Sequence, residues 1–158
     1  MVKIRCFKES DILNFRELAR NEIANYHYLP ESARLEEDRR YFVAELAEQL
    51  KQPLPSIFVA EEDKKLIGAL VFKKDVGGVK WIEWLFVHHD HRKQGVATRL
   101  LNSFIELCTV CGDKTILCDV VSTNIISQDF LKSNDFKSIG MIEKAWYGLD
   151  FYLMQRCL

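Results

Sequence analysis

The stretch WIEWLFVHHDHRKQGVATRLLNSFIELCTVC, residues 81–111, decides the fold class. Its apolar, aromatic start over Trp81–Val87 predicts a buried β-strand. A polar stretch from His88 to Gln94 follows, and an amphipathic helix opens at Gly95. The first amides of a helix lack intrahelical partners, and the helix dipole favours negative charge there. This strand–loop–helix corner therefore predicts a binding site for a phosphorylated ligand.

The rest of the chain alternates strand and helix patterns. Further strands are predicted over Lys3–Phe7, Ser56–Ala60, Leu66–Phe72, Thr115–Val121, Lys137–Ile142 and Asp150–Gln155. Further helices are predicted from Ile12 to Ile23 after an N-cap at Glu9–Asp11, from Tyr41 to Leu50, and from Asn124 to Ser133. This order predicts an α/β (α+β) fold in a single domain over residues 1–158, with one sheet covered on both faces.

Composition excludes several classes of protein. Lys plus Arg (22) and Asp plus Glu (23) give a formal net charge of −1, so no electrostatic field points to nucleic acid. The apolar runs are too short to span a bilayer, and Met1–Arg5 lacks the apolar block of a signal peptide. The five cysteines are odd in number, and we expect reduced, mostly buried thiols in a cytoplasmic protein.

Three motifs carry a resemblance to a known family. Arg92–Ala97, RKQGVA, fits the pattern R/Q-x-x-G-x-G/A, and LFVHHDHR over Leu85–Arg92 is similar to L-x-V-x-P-x-x-R, with His89 in place of proline. Downstream, Asn124 and Phe130–Phe136 resemble N-x-x-A-x-x-x-Y-x-x-x-G-F. Together they resemble the GNAT (Gcn5-related) N-acetyltransferase superfamily. The resemblance implies a mixed, mostly antiparallel sheet of about seven strands that splays between the fourth and fifth strands.

The resemblance also implies acetyl-CoA as co-substrate. No metal is expected. The resemblance assigns the pyrophosphate to the backbone amides of the loop and the pantetheine arm to the strand before it. The implied cofactor-binding residues are Leu85, Phe86, Val87, Arg92, Lys93, Gln94, Gly95, Val96, Ala97, Thr98 and Asn124. A bulky residue at Gly95 would block the close approach of backbone to phosphate.

Two carboxylates are candidate general bases. Glu83 interrupts the apolar run of its strand, and Asp119 interrupts Thr115–Val121; a charge in such a strand normally has a specific reason. The resemblance places an acidic base at the position of Asp119. A structural carboxylate satisfied by neighbouring donors explains either residue as well.

The proton donor for the leaving thiolate is a second open question. Leu131 stands where many relatives carry a tyrosine, so no hydroxyl acts from that position. Tyr147 and Tyr152, which the sequence places on the last two strands, are candidate replacements, although ordinary half-buried strand tyrosines explain both.

The expected reaction is direct attack of a primary amine on acetyl-CoA in a ternary complex, since no nucleophile–base pair points to a covalent intermediate. A small-molecule or peptide acceptor is expected over residues 21–40 and near the last two strands. The first of these regions includes Tyr26, Glu37 and Asp38, with Tyr41 nearby. One alternative is a non-catalytic acyl-CoA sensor. Another is a generic nucleotide-binding domain, but the sequence lacks the G-x-x-x-x-G-K-[ST] loop that is typical of one. A homodimer is left open.

His88, His89 and His91 surround Asp90, but consecutive loop residues rarely converge on one metal ion.

Overall fold

One mixed sheet of seven strands organises the chain, in the order β1-β2-β3-β4-β5-β7-β6. The computed structural model describes residues 1–40, 46–48, 56–74 and 77–158. The strands are β1 (Lys3–Cys6), β2 (Ile57–Glu62), β3 (Lys65–Lys74), β4 (Val79–Val87), β5 (Thr115–Val121), β6 (Lys137–Ile142) and β7 (Phe151–Cys157). The helices are α1 (Ile12–Ala24), α2 (Glu31–Arg40), α3 (Val96–Val110) and α4 (Ile125–Ser133). This arrangement confirms the predicted fold class.

Packing divides the described chain into two compact units. The first contains Met1–Phe72 and Trp84–Phe104, and the second contains Lys73–Glu83 and Ile105–Leu158. The single domain over residues 1–158 stays a prediction. Within the described residues, no helix is both long enough and apolar enough to span a bilayer.

The first unit has helices on both faces of its strands. On one side, Phe15 of α1 is fully buried, and its ring lies 5.2 Å from that of Phe7 and 5.9 Å from that of Phe86. On the other side, the ring of Phe104 in α3 lies 4.5 Å from that of Phe72 in β3. The five apolar positions predicted for α1 are all buried, namely Ile12, Phe15, Leu18, Ala19 and Ile23.

A second helix in the first unit was not predicted. α2 carries the sequence ESARLEEDRR, in which Ala33 and Glu37 are buried while Leu35 is exposed, so it shows no apolar periodicity. The helix predicted from Tyr41 to Leu50 falls mostly outside the described residues. Residues 46–48 are helical, and Leu46 is fully buried.

The N-cap position of α1 is Asp11, within the predicted Glu9–Asp11, although its side chain makes no capping hydrogen bond to that helix. A single 3-10 turn, Glu9–Asp11, precedes the helix. Asp11 instead accepts hydrogen bonds from Arg5, at 2.6 and 2.8 Å, and from the Lys8 amide at 2.8 Å. Burial alone would raise the pKa of Asp11, but these donors hold it below its usual value. Arg5 also pairs with Glu61, so the group joins β1, β2 and the start of α1.

The second unit is built around β5. Its residues pair antiparallel with β7 from Thr115↔Cys157 to Val121↔Phe151. On its other edge, β5 pairs in parallel with β4 from Val79↔Thr115 to Ile82↔Cys118. Both strands continue beyond that ladder, β4 to Val87 and β5 to Val121. Glu83 and Asp119 are the residues that directly follow the last parallel pair.

Candidate functional site

The loop between β4 and α3 turns through left-handed backbone before the helix begins. Lys93 and Gly95 have positive φ angles of 58° and 78°, in the left-handed region that glycine adopts without strain. The Arg99 amide donates to the Gly95 carbonyl at 3.0 Å. The helical ladder begins at that bond, so the first-turn amides before Arg99 lack intrahelical acceptors. An ideal Cβ built on Gly95 meets no atom within 4 Å, so the space beside it is open.

The strand that precedes the loop is oriented by its neighbour β3. The His88 amide donates to the Ile67 carbonyl at 2.8 Å, and the Phe86 carbonyl lies 3.1 Å from an ideal Cβ on Gly68. Backbone groups of successive strand residues point to opposite edges. The amides of Leu85 and Val87 therefore point away from β3, toward the strand edge to which the resemblance assigns the pantetheine arm.

Arg92 is anchored within the protein. Its Nε donates to the Val87 carbonyl at 3.0 Å, and its guanidinium forms an ion pair with Glu22 of α1. Glu22 is fully buried. The sequence reasoning missed Glu22, although its position between Ala19 and Ile23 on the apolar face of α1 was a signal.

The other loop residues are spread over the surface of this corner. Lys93, Gln94, Gly95 and Thr98 are exposed, Ala97 is half-buried and Val96 is buried. The Gln94 side chain donates to the Asp90 carbonyl at 3.0 Å, which closes the loop on itself. In the first unit, the predicted residues of the strand end and of the loop thus lie next to the start of α3.

Aromatic side chains occupy the region in which an acceptor was expected. Tyr26 stacks on Trp84 of β4, with ring centroids 5.4 Å apart and planes 3° apart, and also on Tyr28 at 5.3 Å. Burial raises the pKa of Tyr26 above its usual value. The Trp84 indole donates to the buried Glu37 at 3.2 Å.

Asp38 is also engaged in the expected acceptor region. It accepts from Arg16 at 2.6 Å, which lowers the pKa of its carboxyl. Tyr41 lies outside the described residues.

In the second unit, the two candidate bases lie on one face of neighbouring strands. The Glu83 side chain is 27% exposed, and its Oε1 lies 3.4 Å from Lys73 Nζ. Lys73 Nζ also lies 5.9 Å from the ring centroid of Trp81, whose indole donates to Asp119 Oδ1 at 3.2 Å. Glu83, Lys73, Trp81 and Asp119 therefore form one cluster of polar contacts. The sequence did not predict this cluster.

Tyr147 does not lie on a strand, so that prediction was wrong. It lies in the single turn Trp146–Gly148 between β6 and β7, is 39% exposed and has φ 59°. Gly148 follows at φ 72°, and two successive positive φ angles are typical of the tightest strand-to-strand turns. The Asp150 side chain accepts from the Lys144 amide at 2.8 Å across the same turn.

Asn124 and Leu131 belong to α4. The Asn124 side chain accepts from the Ser127 amide at 3.2 Å, so it is the N-cap of that helix. Leu131 is buried and offers no hydroxyl. A contact between Asn124 and a cofactor stays a prediction.

Three side chains of the histidine-rich loop lie closer together than we expected for consecutive residues. Ligand atoms of His88, His89 and Asp90 all lie within 4.8 Å of one another. The His88 ring accepts from the Asp90 amide at 3.4 Å, and His89 and Asp90 are exposed. A reaction without a metal therefore stays a prediction.

Most of the sequence matches a family model. The model describes the Acetyltransferase (GNAT) family and matches residues 19–136, which include β4, the loop and α3. The chain belongs to the GNAT family. No match is found among curated protein sequences.

Solved structures share the GNAT fold over nearly the whole chain. PaiA N-acetyltransferase from Thermoplasma acidophilum, solved with coenzyme A, has a TM-score of 0.84 and 19% identity, covering 100% of this chain and 99% of that one. Ard1 from Thermoplasma volcanium has a TM-score of 0.81 and 20% identity, with 99% and 97% covered. The protein yncA of Salmonella typhimurium, solved with its cofactor acetyl-CoA, has a TM-score of 0.78 and 22% identity, with 100% and 94% covered.

The cysteines of this GNAT protein bear on whether a covalent intermediate can form. All five are free, but Cys6, Cys111 and Cys157 are exposed, so the expectation of mostly buried thiols was wrong. These three lie at the ends of their elements, where the apolar pattern that predicted burial stops. Burial raises the pKa of Cys108 to about 12 and that of Cys118 above its usual value. The two buried thiols are therefore poor nucleophiles at neutral pH.

We expect three thiols of the native GNAT protein to react rapidly with Ellman's reagent at pH 8, because three of the five cysteines are exposed. In guanidinium chloride all five should react. Rapid reaction of four or five thiols in the native protein would contradict the burial of Cys108 and Cys118.

Proposed function

We propose that this GNAT protein is an acetyl-CoA-dependent N-acetyltransferase that acetylates a primary amine by direct attack in a ternary complex. The observation that supports it most is the helix start at Gly95, with left-handed backbone, first-turn amides without intrahelical acceptors and open space beside them. Relatives of the same fold solved with coenzyme A and acetyl-CoA support the choice of cofactor.

The loop can bind the pyrophosphate of coenzyme A through its backbone. Amides from Gln94 to Thr98 can point into one concavity at the start of α3, where the helix dipole also favours negative charge. Each charge-assisted hydrogen bond contributes roughly 1.5–3 kcal/mol net. A few such bonds reach the roughly 8 kcal/mol of micromolar binding.

A pair of substitutions at Gly95 tests the cofactor site by calorimetric titration with acetyl-CoA. We expect micromolar binding for the wild type and its loss in Gly95→Trp, because the indole fills the space in front of the amides. Gly95→Ala is the matched control: it carries the same left-handed strain, about 1 kcal/mol, but little bulk, so it should retain most of the affinity. Equal affinities of Gly95→Trp and the wild type, or no binding by the wild type, would contradict the proposal.

Transfer of the acetyl group requires a neutral amine. An alkyl ammonium with a pKa of about 10.4 must lose its proton, at a cost near 4.6 kcal/mol at pH 7. The amine nitrogen then bonds to the thioester carbonyl carbon, the carbon–sulfur bond breaks and coenzyme A leaves as thiolate. The nitrogen loses a second proton to become the amide, and the base or the solvent can pass one proton to the thiolate. Glu83 and Asp119 are the candidate bases, and a positioned base contributes roughly 10²–10⁴ in rate.

The leaving thiolate does not require a tyrosine at position 131. With a thiol pKa near 8.5, release as thiolate at pH 7 costs only about 2 kcal/mol relative to release as thiol. Solvent can supply that proton, and Tyr147, exposed in its turn, is a candidate donor.

Glu83→Gln and Asp119→Asn distinguish the candidate bases. Thiol release from acetyl-CoA is first measured against polyamines, aminoglycosides, amino acids and peptide N-termini. With the amine that reacts, we expect the variant of the true base to lose 10²–10⁴ in kcat while its calorimetric affinity for acetyl-CoA changes less than threefold. Asp129→Asn, exposed on α4, is the control.

Three outcomes would count against the enzymatic account or part of it. Full activity in both variants would contradict the assignment of the base to Glu83 or Asp119. Micromolar binding of acetyl-CoA without thiol release for any amine would favour the non-catalytic sensor. Rapid thiol release before an amine is added would contradict direct attack in a ternary complex.

The partners and location of the protein are part of the same proposal. The acceptor would be a small molecule or a peptide, in the cytoplasm, with no role for nucleic acid or a membrane. A homodimer stays a prediction. Several exposed apolar side chains lie in β6 and the turn after it, at Ile139, Met141, Ile142 and Trp146.

A further inference from the structure

We propose that Glu22 is a positioning residue for the cofactor loop. Its buried carboxylate holds the Arg92 guanidinium, and Arg92 in turn holds the end of β4, so that the amides at the start of α3 are in place before the ligand arrives. This inference rests on the proposed binding of coenzyme A and adds a residue from outside the loop motif.

The burial of Glu22 is costly and calls for a specific reason. It is fully buried on the apolar face of α1, between Ala19 and Ile23. A buried ion pair is often no more stable than a well-packed apolar pair of similar volume. A leucine or methionine at position 22 would pack α1 equally well. The role of the carboxylate is therefore its interaction with Arg92.

Arg92 has two anchors on different elements. Its Nε donates to the Val87 carbonyl at 3.0 Å, while its guanidinium pairs with Glu22 on α1. The planar guanidinium can satisfy both acceptors at once, whereas a lysine ammonium lacks that geometry. The first residue of the R-x-x-G motif is therefore fixed to both the strand end and the helix.

The second oxygen of Glu22 faces the same loop. Oε1 is buried and has no hydrogen-bond partner among the described residues, and His89 Nδ1 lies 3.9 Å from it. Two loop residues, His89 and Arg92, thus lie next to one carboxylate of α1. Because a loop held in its binding conformation loses less entropy on binding, this contact favours affinity for the ligand.

Arg92 could aid binding either by its positive charge or by holding the loop in place, and the two roles have different consequences. If Arg92 acted as a free cation, it would strengthen the binding of pyrophosphate by attraction, and any cation at position 92 would serve. Because Glu22 neutralises it, its contribution comes from holding the loop. Lysine at position 92 should then fail as badly as a neutral side chain.

The experiment is calorimetric titration with coenzyme A of the wild type, Glu22→Gln, Arg92→Gln, Arg92→Lys and the double variant Glu22→Gln/Arg92→Gln. We expect the dissociation constant to rise about tenfold in each single variant, Arg92→Lys included. In the double variant it should also rise about tenfold, not a hundredfold, since both residues act through one contact.

Asp11→Asn is the matched control. Asp11 is also a buried carboxylate paired with an arginine in the first unit, and its partners Arg5 and Lys8 lie outside the loop sequence. It should lower the melting temperature and leave the affinity for coenzyme A within twofold. The apolar pair Glu22→Met/Arg92→Met removes both charges together; it should fold, because no buried charge is left unpaired, and should bind about tenfold more weakly.

Each contrary result has a distinct meaning. The positioning role is contradicted if Glu22→Gln or the Met pair binds coenzyme A as tightly as the wild type. It is also contradicted if Arg92→Lys alone does so. In each case the proposed cofactor site is unaffected. Independent, hundredfold losses in the double variant also contradict the positioning role. Absence of coenzyme A binding by the wild type overturns the proposed function itself.

Discussion

The ion pair between buried Glu22 and Arg92 holds the loop between β4 and α3 against α1. The Arg92 side chain is 49% exposed, but a displaced loop would leave the fully buried Glu22 carboxylate without this partner, which disfavours other loop positions. Arg92 also reaches the Val87 carbonyl, and Gly95 then turns through a conformation that few other residues adopt without strain. The direction of the first-turn amides of α3 follows from these contacts.

The motif was predictable from sequence because local backbone chemistry determines it. Gly95 at a strand–loop–helix corner, and Asn124 at the start of a helix, act through neighbours in the chain, and both are found where they were expected. The strands were predictable as well, because burial in the sheet leaves a direct trace in the sequence. In β4 that trace is a nearly continuous run of apolar residues. Residues fixed by tertiary contacts were harder: α2 lacks an apolar stripe, and the partner of Glu22 lies seventy residues away.

The chemistry of the second unit is less determined by its sequence. A carboxylate in an apolar strand indicates a specific role but not which one, and Glu83 and Asp119 both meet that description. The structure adds that each has a polar neighbour, Lys73 for Glu83 and Trp81 for Asp119. Such contacts are compatible with a base and with a structural carboxylate. Kinetic behaviour, rather than burial, therefore decides between them.

The most direct test of the account is a titration of ¹⁵N-labelled protein with coenzyme A, followed by backbone amide chemical shifts. The account predicts the largest changes at the amides of Gln94–Thr98, with further changes at Leu85 and Val87, where the strand edge is turned away from β3. Saturable binding that leaves these amides unchanged while others shift would contradict it, because the ligand would then be held elsewhere on the GNAT fold.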